Sequence, residues 1–123
     1  MTLDPLVGEL FKYYDGPVFL PHNYARLDQL IKYSVRCLGR KKEKAKRILI
    51  DASPRDSVPY LVLALKDPHC RDAAIDVFLE YGASDITVSE LVPRLVDQRF
   101  RDSARRILIG YGEDALSFLR LPK

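Results

Sequence analysis

VPYLVLALKDPHCRDAAIDVFLEYG occupies residues 58–82, and VSELVPRLVDQRFRDSARRILIGYG occupies residues 88–112. Aligned at an offset of 30, ten of the twenty-five positions are identical: Val58/Val88, Leu61/Leu91, Val62/Val92, Leu65/Leu95, Asp67/Asp97, Arg71/Arg101, Asp72/Asp102, Ala74/Ala104, Tyr81/Tyr111 and Gly82/Gly112. A more worn copy lies upstream, where Ala45, Arg47, Ile48, Leu49 and Ile50 match Ala104, Arg106, Ile107, Leu108 and Ile109. Self-similarity at a period of about 20–50 residues is the mark of a stacked array, in which one unit cannot bury its apolar face alone.

Each unit reads as two helices. Val88, Leu91 and Leu95 fall at helical spacing, and so do Ala104, Ile107, Leu108 and Tyr111. Thr87 and Glu90 have capping-box spacing, and Ser57 precedes Val58–Pro59, so the first helices are expected to start there. Gly82 and Gly112 stand where a positive-φ helix end is expected. Pro93 falls inside a helical pattern and is expected to kink it. The second unit's buried stripe is predicted as Ala74, Val77, Phe78 and Tyr81.

Upstream, Asp4–Pro5 is expected to open a short helix to about Tyr14, with Leu6, Leu10 and Phe11 inward, ended by Asp15-Gly16-Pro17. Asn23 is expected to cap a helix running to about Leu38, with Leu27, Leu30, Ile31 and Val35 inward, and Gly39 to turn the chain into a helix at 41–52. The domain reading is one unit over 1–123: an N-terminal cap (1–22), three repeats (23–53, 57–82, 87–112) and a C-terminal cap (113–123) that includes Leu116, Phe118 and Leu119. The five aromatics Phe11, Tyr13, Tyr14, Phe19 and Tyr24 read as part of the N-terminal cap packed on the first repeat, with a partner anchor as the alternative.

The leucine-rich first helix, the Asp at the turn and the Arg-x-x-Ala opening the second helix resemble the HEAT repeat family, in its short form of about thirty residues. Leu61, Leu65, Asp67, Arg71 and Ala74 carry the resemblance, as do Leu91, Leu95, Asp97, Arg101 and Ala104. The first unit departs from it, with Cys37 or Leu38 in place of the Asp and Lys42 in place of the Arg. The resemblance implies an all-α fold, an α-solenoid of stacked antiparallel helix pairs. It also implies that the second helices line a concave side. Asp67 and Asp97 are expected to accept backbone N–H groups at a helix end, and Arg71 and Arg101 to reach the neighbouring unit's Asp.

Composition sets bounds. The 123 residues are 47% hydrophobic and 30% charged, a soluble globular profile. Met1-Thr2-Leu3-Asp4-Pro5 lacks the basic start and apolar run of a signal peptide, and Tyr60 to Leu65 is too short to span a bilayer. Cys37 and Cys70 read as buried thiols in a reducing cytoplasm. Net charge is +3, yet residues 36–47 hold seven basic groups and one acid, and Arg94, Arg99, Arg101, Arg105 and Arg106 form a second basic group.

Chemistry is sparse. His22 and His69 are the only histidines, and neither lies in metal-ligand spacing. A Cys37/Cys70/His69 zinc site would fall short of the usual four ligands. No phosphate loop or nucleophile elbow occurs. We therefore expect no catalytic residue, no metal and no cofactor, and a protein-interaction role: adaptor, regulator or inhibitor. The residues expected to meet the partner are Lys42, Lys46, Arg47, Ile75, Asp76, Arg105 and Arg106, all on the second helices. Ile50, Leu79 and Ile109 form an apolar row there, expected between units or, if exposed, as an apolar ridge with charged flanks. The alternative is a nucleic-acid-binding module using the 40–47 basic run with Arg105 and Arg106, whose binding would fall steeply with salt.

Overall fold

The computed structural model describes residues 4–118, and within them every regular element is helical. The elements are α1 (Pro5–Tyr13), α2 (Tyr24–Arg36), α3 (Lys42–Asp51), α4 (Pro54–Leu61), α5 (Arg71–Tyr81), α6 (Asp85–Leu91), α7 (Arg101–Tyr111) and α8 (Glu113–Leu116), with 3₁₀ turns at Pro17–Phe19, Cys37–Gly39, Val62–Lys66 and Val92–Val96. Of the stretch expected as a C-terminal cap, the structure describes residues up to Phe118, with Leu116 and Phe118 exposed, and Leu119 lies outside the described residues.

Helices pack in two rows. Along one, α2 packs on α4 and α4 on α6; along the other, α3 packs on α5 and α5 on α7. Within each pair, α2 contacts α3, and α5 and α7 pack on the 3₁₀ segments that end their own units' first helices. α1 closes one end against α2 and α3. The core runs along the seam: Leu30, Ile31, Ile48, Leu49, Leu61, Leu65, Phe78, Leu91 and Ile107 are fully buried. Ala74 and Ala104 are also fully buried, as the repeat predicts for positions where helices approach closely.

The start and end signals are partly as read. Asp4 caps α1 by accepting from the Leu6 N–H at 2.9 Å, with Pro5 in the first turn, and Asn23 caps α2. Gly82 and Gly112 end α5 and α7 at φ +80° and +64°, a region side-chain-bearing residues rarely adopt. The first helices of the second and third units, however, start earlier than expected. Ser53, not Ser57, caps α4, and Pro54 takes the first turn. Ser84 caps α6 in a reciprocal box with Thr87: Ser84 Oγ accepts from the Thr87 N–H at 3.2 Å, and Thr87 Oγ1 from the Ser84 N–H at 3.0 Å. The true caps lie outside the aligned repeat, and Ser57 and Thr87 are fully buried inside the first turns. On α1, Val7 and Phe11 point inward, whereas Leu6 is 44% exposed.

The regular α-helix gives way beside Pro93, whose ring cannot supply an N–H, but the proline is not the sole cause. The α6 helix tightens into a 3₁₀ turn from Val92, but the second unit tightens at the matching Val62 with Leu63 where the third has Pro93. The common feature is the turn that follows. Asp67 Oδ1 accepts from the His69 N–H at 2.9 Å, and Asp97 Oδ1 from the Arg99 N–H at 3.0 Å. Arg71 Nε donates to the Leu65 carbonyl at 3.0 Å, and Arg101 Nε to the Leu95 carbonyl at 3.1 Å. Each Arg thus satisfies an orphan carbonyl at the end of its own unit's first helix, rather than reaching the next unit's Asp. The first unit has neither residue, and there α2 stays regular to Arg36 before the short 3₁₀ turn at Cys37–Gly39.

A repeated tyrosine is one of the links between units. Tyr81 Oη donates to the Leu49 carbonyl, and Tyr111 Oη to the Phe78 carbonyl at 2.7 Å. Each hydroxyl therefore meets the last turn of the preceding unit's second helix. The Ser57 hydroxyl stands 2.6 Å from the Tyr81 hydroxyl, while the Thr87 hydroxyl donates to the Gly82 carbonyl at 3.0 Å. At the N-terminal end Tyr14, almost fully buried, donates to Asp51 at 2.6 Å, and Lys44 Nζ donates to the Tyr14 carbonyl.

Burial pushes the Tyr81 and Tyr111 hydroxyls up to about 12. Tyrosines of an unfolded chain ionise near 10, so the unfolded form gives up its protons first. The stability these phenols contribute is fully present below pH 10 and is lost as pH rises through 12. Alkaline titration should therefore show phenolate absorbance and loss of helical circular dichroism rising together between pH 10 and 12. Titration of all seven tyrosines near pH 10 with the helices intact would contradict this.

Candidate functional site

The outward surface of α3, α5 and α7 carries the residues singled out in the sequence, with one exception. Ile75 is 3% exposed and cannot meet a partner. The helix α5 is flanked by α3 on one side and α7 on the other, and Ile75 belongs to the buried core. Its counterpart Arg105 lies on α7, at the end of the row, and is exposed. Lys42, Arg47, Asp76 and Arg106 are exposed, and Lys46 is partly covered.

The charges on this surface are interleaved. Lys46 Nζ lies 3.2 Å from Asp76 Oδ2, joining α3 to α5, and Arg106 Nη1 lies 3.6 Å from Asp72 Oδ1, joining α7 to α5. Exposed pairs of this kind add little stability, but they break the cationic track that a nucleic-acid backbone would follow. Three members of the second basic group are held locally. Arg94 hydrogen-bonds Glu90, Arg99 forms a two-pronged contact with Asp97 and lies over the Phe100 ring, and Arg101 holds the Leu95 carbonyl. The contact with Arg99 holds the Asp97 carboxyl below its ordinary value. In the 40–47 run, Lys41 and Lys42 begin α3, where a positive charge opposes the helix dipole.

Between the charges lies an apolar ridge. Ile109 is 70% exposed and Leu79 41%, while Ile50 is half-buried. A methyl group at Gly110 would stand 2.5 Å from Leu79 Cδ2, so the glycine lets Leu79 lie across α7 beside Ile109. A shallow groove on either side of α5 flanks this ridge. One, of about 340 Å³, is lined by Glu43, Lys46, Arg47, Ile50, Asp51 and Glu80. The other, of about 450 Å³, is lined by Arg71, Asp102, Ser103, Arg105, Arg106 and Ile109.

Neither the known protein families, nor curated proteins, nor solved structures give a match to this chain.

Cys70 is buried, its thiol contacts Asp67 Oδ2 at 3.7 Å, and burial followed by that carboxylate raises its pKa, the reverse of an activated nucleophile. His69 sits in the exposed turn beside it, and His22 is exposed in the 14–23 connector. No cluster of three or more His, Cys, Asp or Glu suited to a metal ion occurs among the described residues. The aromatic group splits: Phe11 and Tyr14 are core, while Tyr13, Phe19 and Tyr24 are 64%, 48% and 70% exposed. No helix among the described residues is long and apolar enough to cross a membrane.

Sequence reasoning missed Arg71, Asp102 and Ser103 as groove residues. Arg71 is expected from the repeat to reach the neighbouring unit's Asp; instead its Nε holds the Leu65 carbonyl of its own unit, and the residue lines the groove. The available signal was the spacing of Arg71, Asp102 and Arg105, which meet only when α5 and α7 lie side by side.

Proposed function

We propose that this chain is a non-catalytic protein-interaction module, a small HEAT-like α-solenoid that docks a partner protein on the row α3, α5 and α7. The observation that carries the reading is the exposure of Leu79 and Ile109 as a continuous ridge between charged flanks. A ridge of aliphatic side chains rimmed by charges is the composition of a protein interface. The two rows of helices, each packed on the next, support the solenoid reading, and the row α3, α5, α7 is the one the HEAT resemblance makes concave. Interleaved ion pairs across it favour a protein over nucleic acid. The buried thiols of Cys37 and Cys70 fit work in a reducing cytoplasm.

The reading is tested with a photo-reactive benzophenone amino acid placed at Ile109 and, separately, at Arg55, which is exposed on α4 in the other row. Irradiation in native lysate should give a protein adduct from position 109 that survives nuclease treatment, and none from position 55. Equal adducts from both positions, or an adduct removed by nuclease, would contradict it.

A further inference from the structure

We propose that the groove between α5 and α7 selects an acidic segment of the partner, in which a carboxylate neighbours an aliphatic side chain. The inference rests on the protein-docking reading and names the chemistry of its partner.

The two grooves differ in sign. The one between α5 and α7 sets three guanidinium groups, Arg71, Arg105 and Arg106, against one carboxylate, Asp102. The one between α3 and α5 sets three carboxylates, Glu43, Asp51 and Glu80, against Lys46 and Arg47, and Lys46 is already paired with Asp76. A carboxylate is therefore drawn to the α7 side and repelled from the α3 side.

Two of the three arginines, Arg71 and Arg105, are also free to receive it, while Arg106 is shared with Asp72. The helix-end carbonyl of Leu65 takes Arg71 Nε at 3.0 Å, which fixes the side chain at the groove wall while its terminal nitrogens have no hydrogen-bond partner among the described residues. Arg105 has no ion-pair partner among the described residues, and the Arg106 contact to Asp72 is long, 3.6 Å, between two well-exposed groups. Guanidinium groups bind carboxylates by parallel N–H···O bonds, roughly twice as strong as neutral ones. Ile109 forms the apolar side of the same groove, and Leu79 continues the surface over Gly110. An aliphatic side chain next to the carboxylate covers both.

The test is selection of a random peptide library displayed on phage against the full chain, against Arg105→Glu/Arg106→Glu, and against Ile109→Asp. All three changed residues are exposed and outside the core, and helical circular dichroism confirms that each variant is folded. Expected are peptides enriched in Asp or Glu beside Leu, Ile or Val. Their affinity should fall about tenfold or more on Arg105→Glu/Arg106→Glu, the loss expected for one charge-assisted contact, and selection on that variant should turn to Lys or Arg.

Peptides that depend on Ile109 but show no acidic preference would overturn this inference and leave the docking reading standing. Absence of any peptide that distinguishes wild type from Ile109→Asp would overturn both. Arginine-dependent binding of a labelled DNA or RNA duplex in place of peptides would overturn both in favour of a nucleic-acid partner.

Discussion

Phe78→Ala is expected to lower the free energy of unfolding by about 3–5 kcal/mol. Phe78 is fully buried in α5, the helix packed between α3 and α7. Removing its ring opens a cavity where the second unit meets its neighbours. Tyr111 loses packing beside its acceptor as well, because its hydroxyl binds the Phe78 carbonyl. Small domains are stable by about 5–15 kcal/mol in total, so this variant should have a much lower urea midpoint or fail to fold at all. Thermal and urea unfolding followed by circular dichroism read the effect. A loss below 1 kcal/mol would mean that the inward face of α5 is wrongly assigned.

Tyr81→Phe is expected to cost more than Tyr111→Phe, although the two tyrosines occupy equivalent positions. The Leu49 carbonyl has no other partner among the described residues, because the Ala52 N–H that follows it goes to Ile48. Loss of the Tyr81 hydroxyl strands that carbonyl in a buried setting, at a cost of about 1–3 kcal/mol. The Phe78 carbonyl keeps the Gly82 N–H at 3.2 Å when Tyr111 becomes Phe, so only the net value of one hydrogen bond is lost, about 0.5–1.5 kcal/mol. Paired unfolding curves of the two variants check the order. Equal losses, or the reverse order, would contradict the role given to these hydroxyls as ties between units.

Much of this architecture is legible in the chain. The repeat, the helix pairs, the glycine ends, the Asn23 cap and the Asp4–Pro5 start all follow from spacing and local chemistry. What was misplaced shares one physical cause: a residue type suited to a helix end was used for something else. Ser57 and Thr87 look like N-caps because hydroxyls favour that position, but Ser57 is buried beside the Tyr81 hydroxyl and Thr87 lies inside the first turn, completing the box with Ser84. Pro93 looks like the source of a kink because its ring removes an N–H. The second unit tightens at the matching Val62 with Leu63 in place of Pro93, so a proline at that position is not required for the change. The identity of Tyr81 and Tyr111 was visible, but periodicity reads them as apolar stripe and is blind to a hydrogen bond made across 32 or 33 residues.

The candidate surface was legible in outline and wrong at Ile75. Position alone puts that residue next to the outward Asp76. Only the placement of α5 between two helices, while α7 stands at the end of the row, explains why Ile75 is covered and Arg105 is not. Whether Leu79 and Ile109 would be covered could not be read from spacing, since it depends on how α5 and α7 lie against each other; the missing side chain at Gly110 leaves room for the Leu79 side chain there.

The central claim is that this face binds a protein. It is tested most directly by quantitative affinity capture from native lysate, with nuclease present, using the wild-type chain and Ile109→Asp side by side. The account predicts a partner held by the wild type and lost from a folded Ile109→Asp. Equal recovery by both chains, or recovery by neither once nuclease is added, would contradict it.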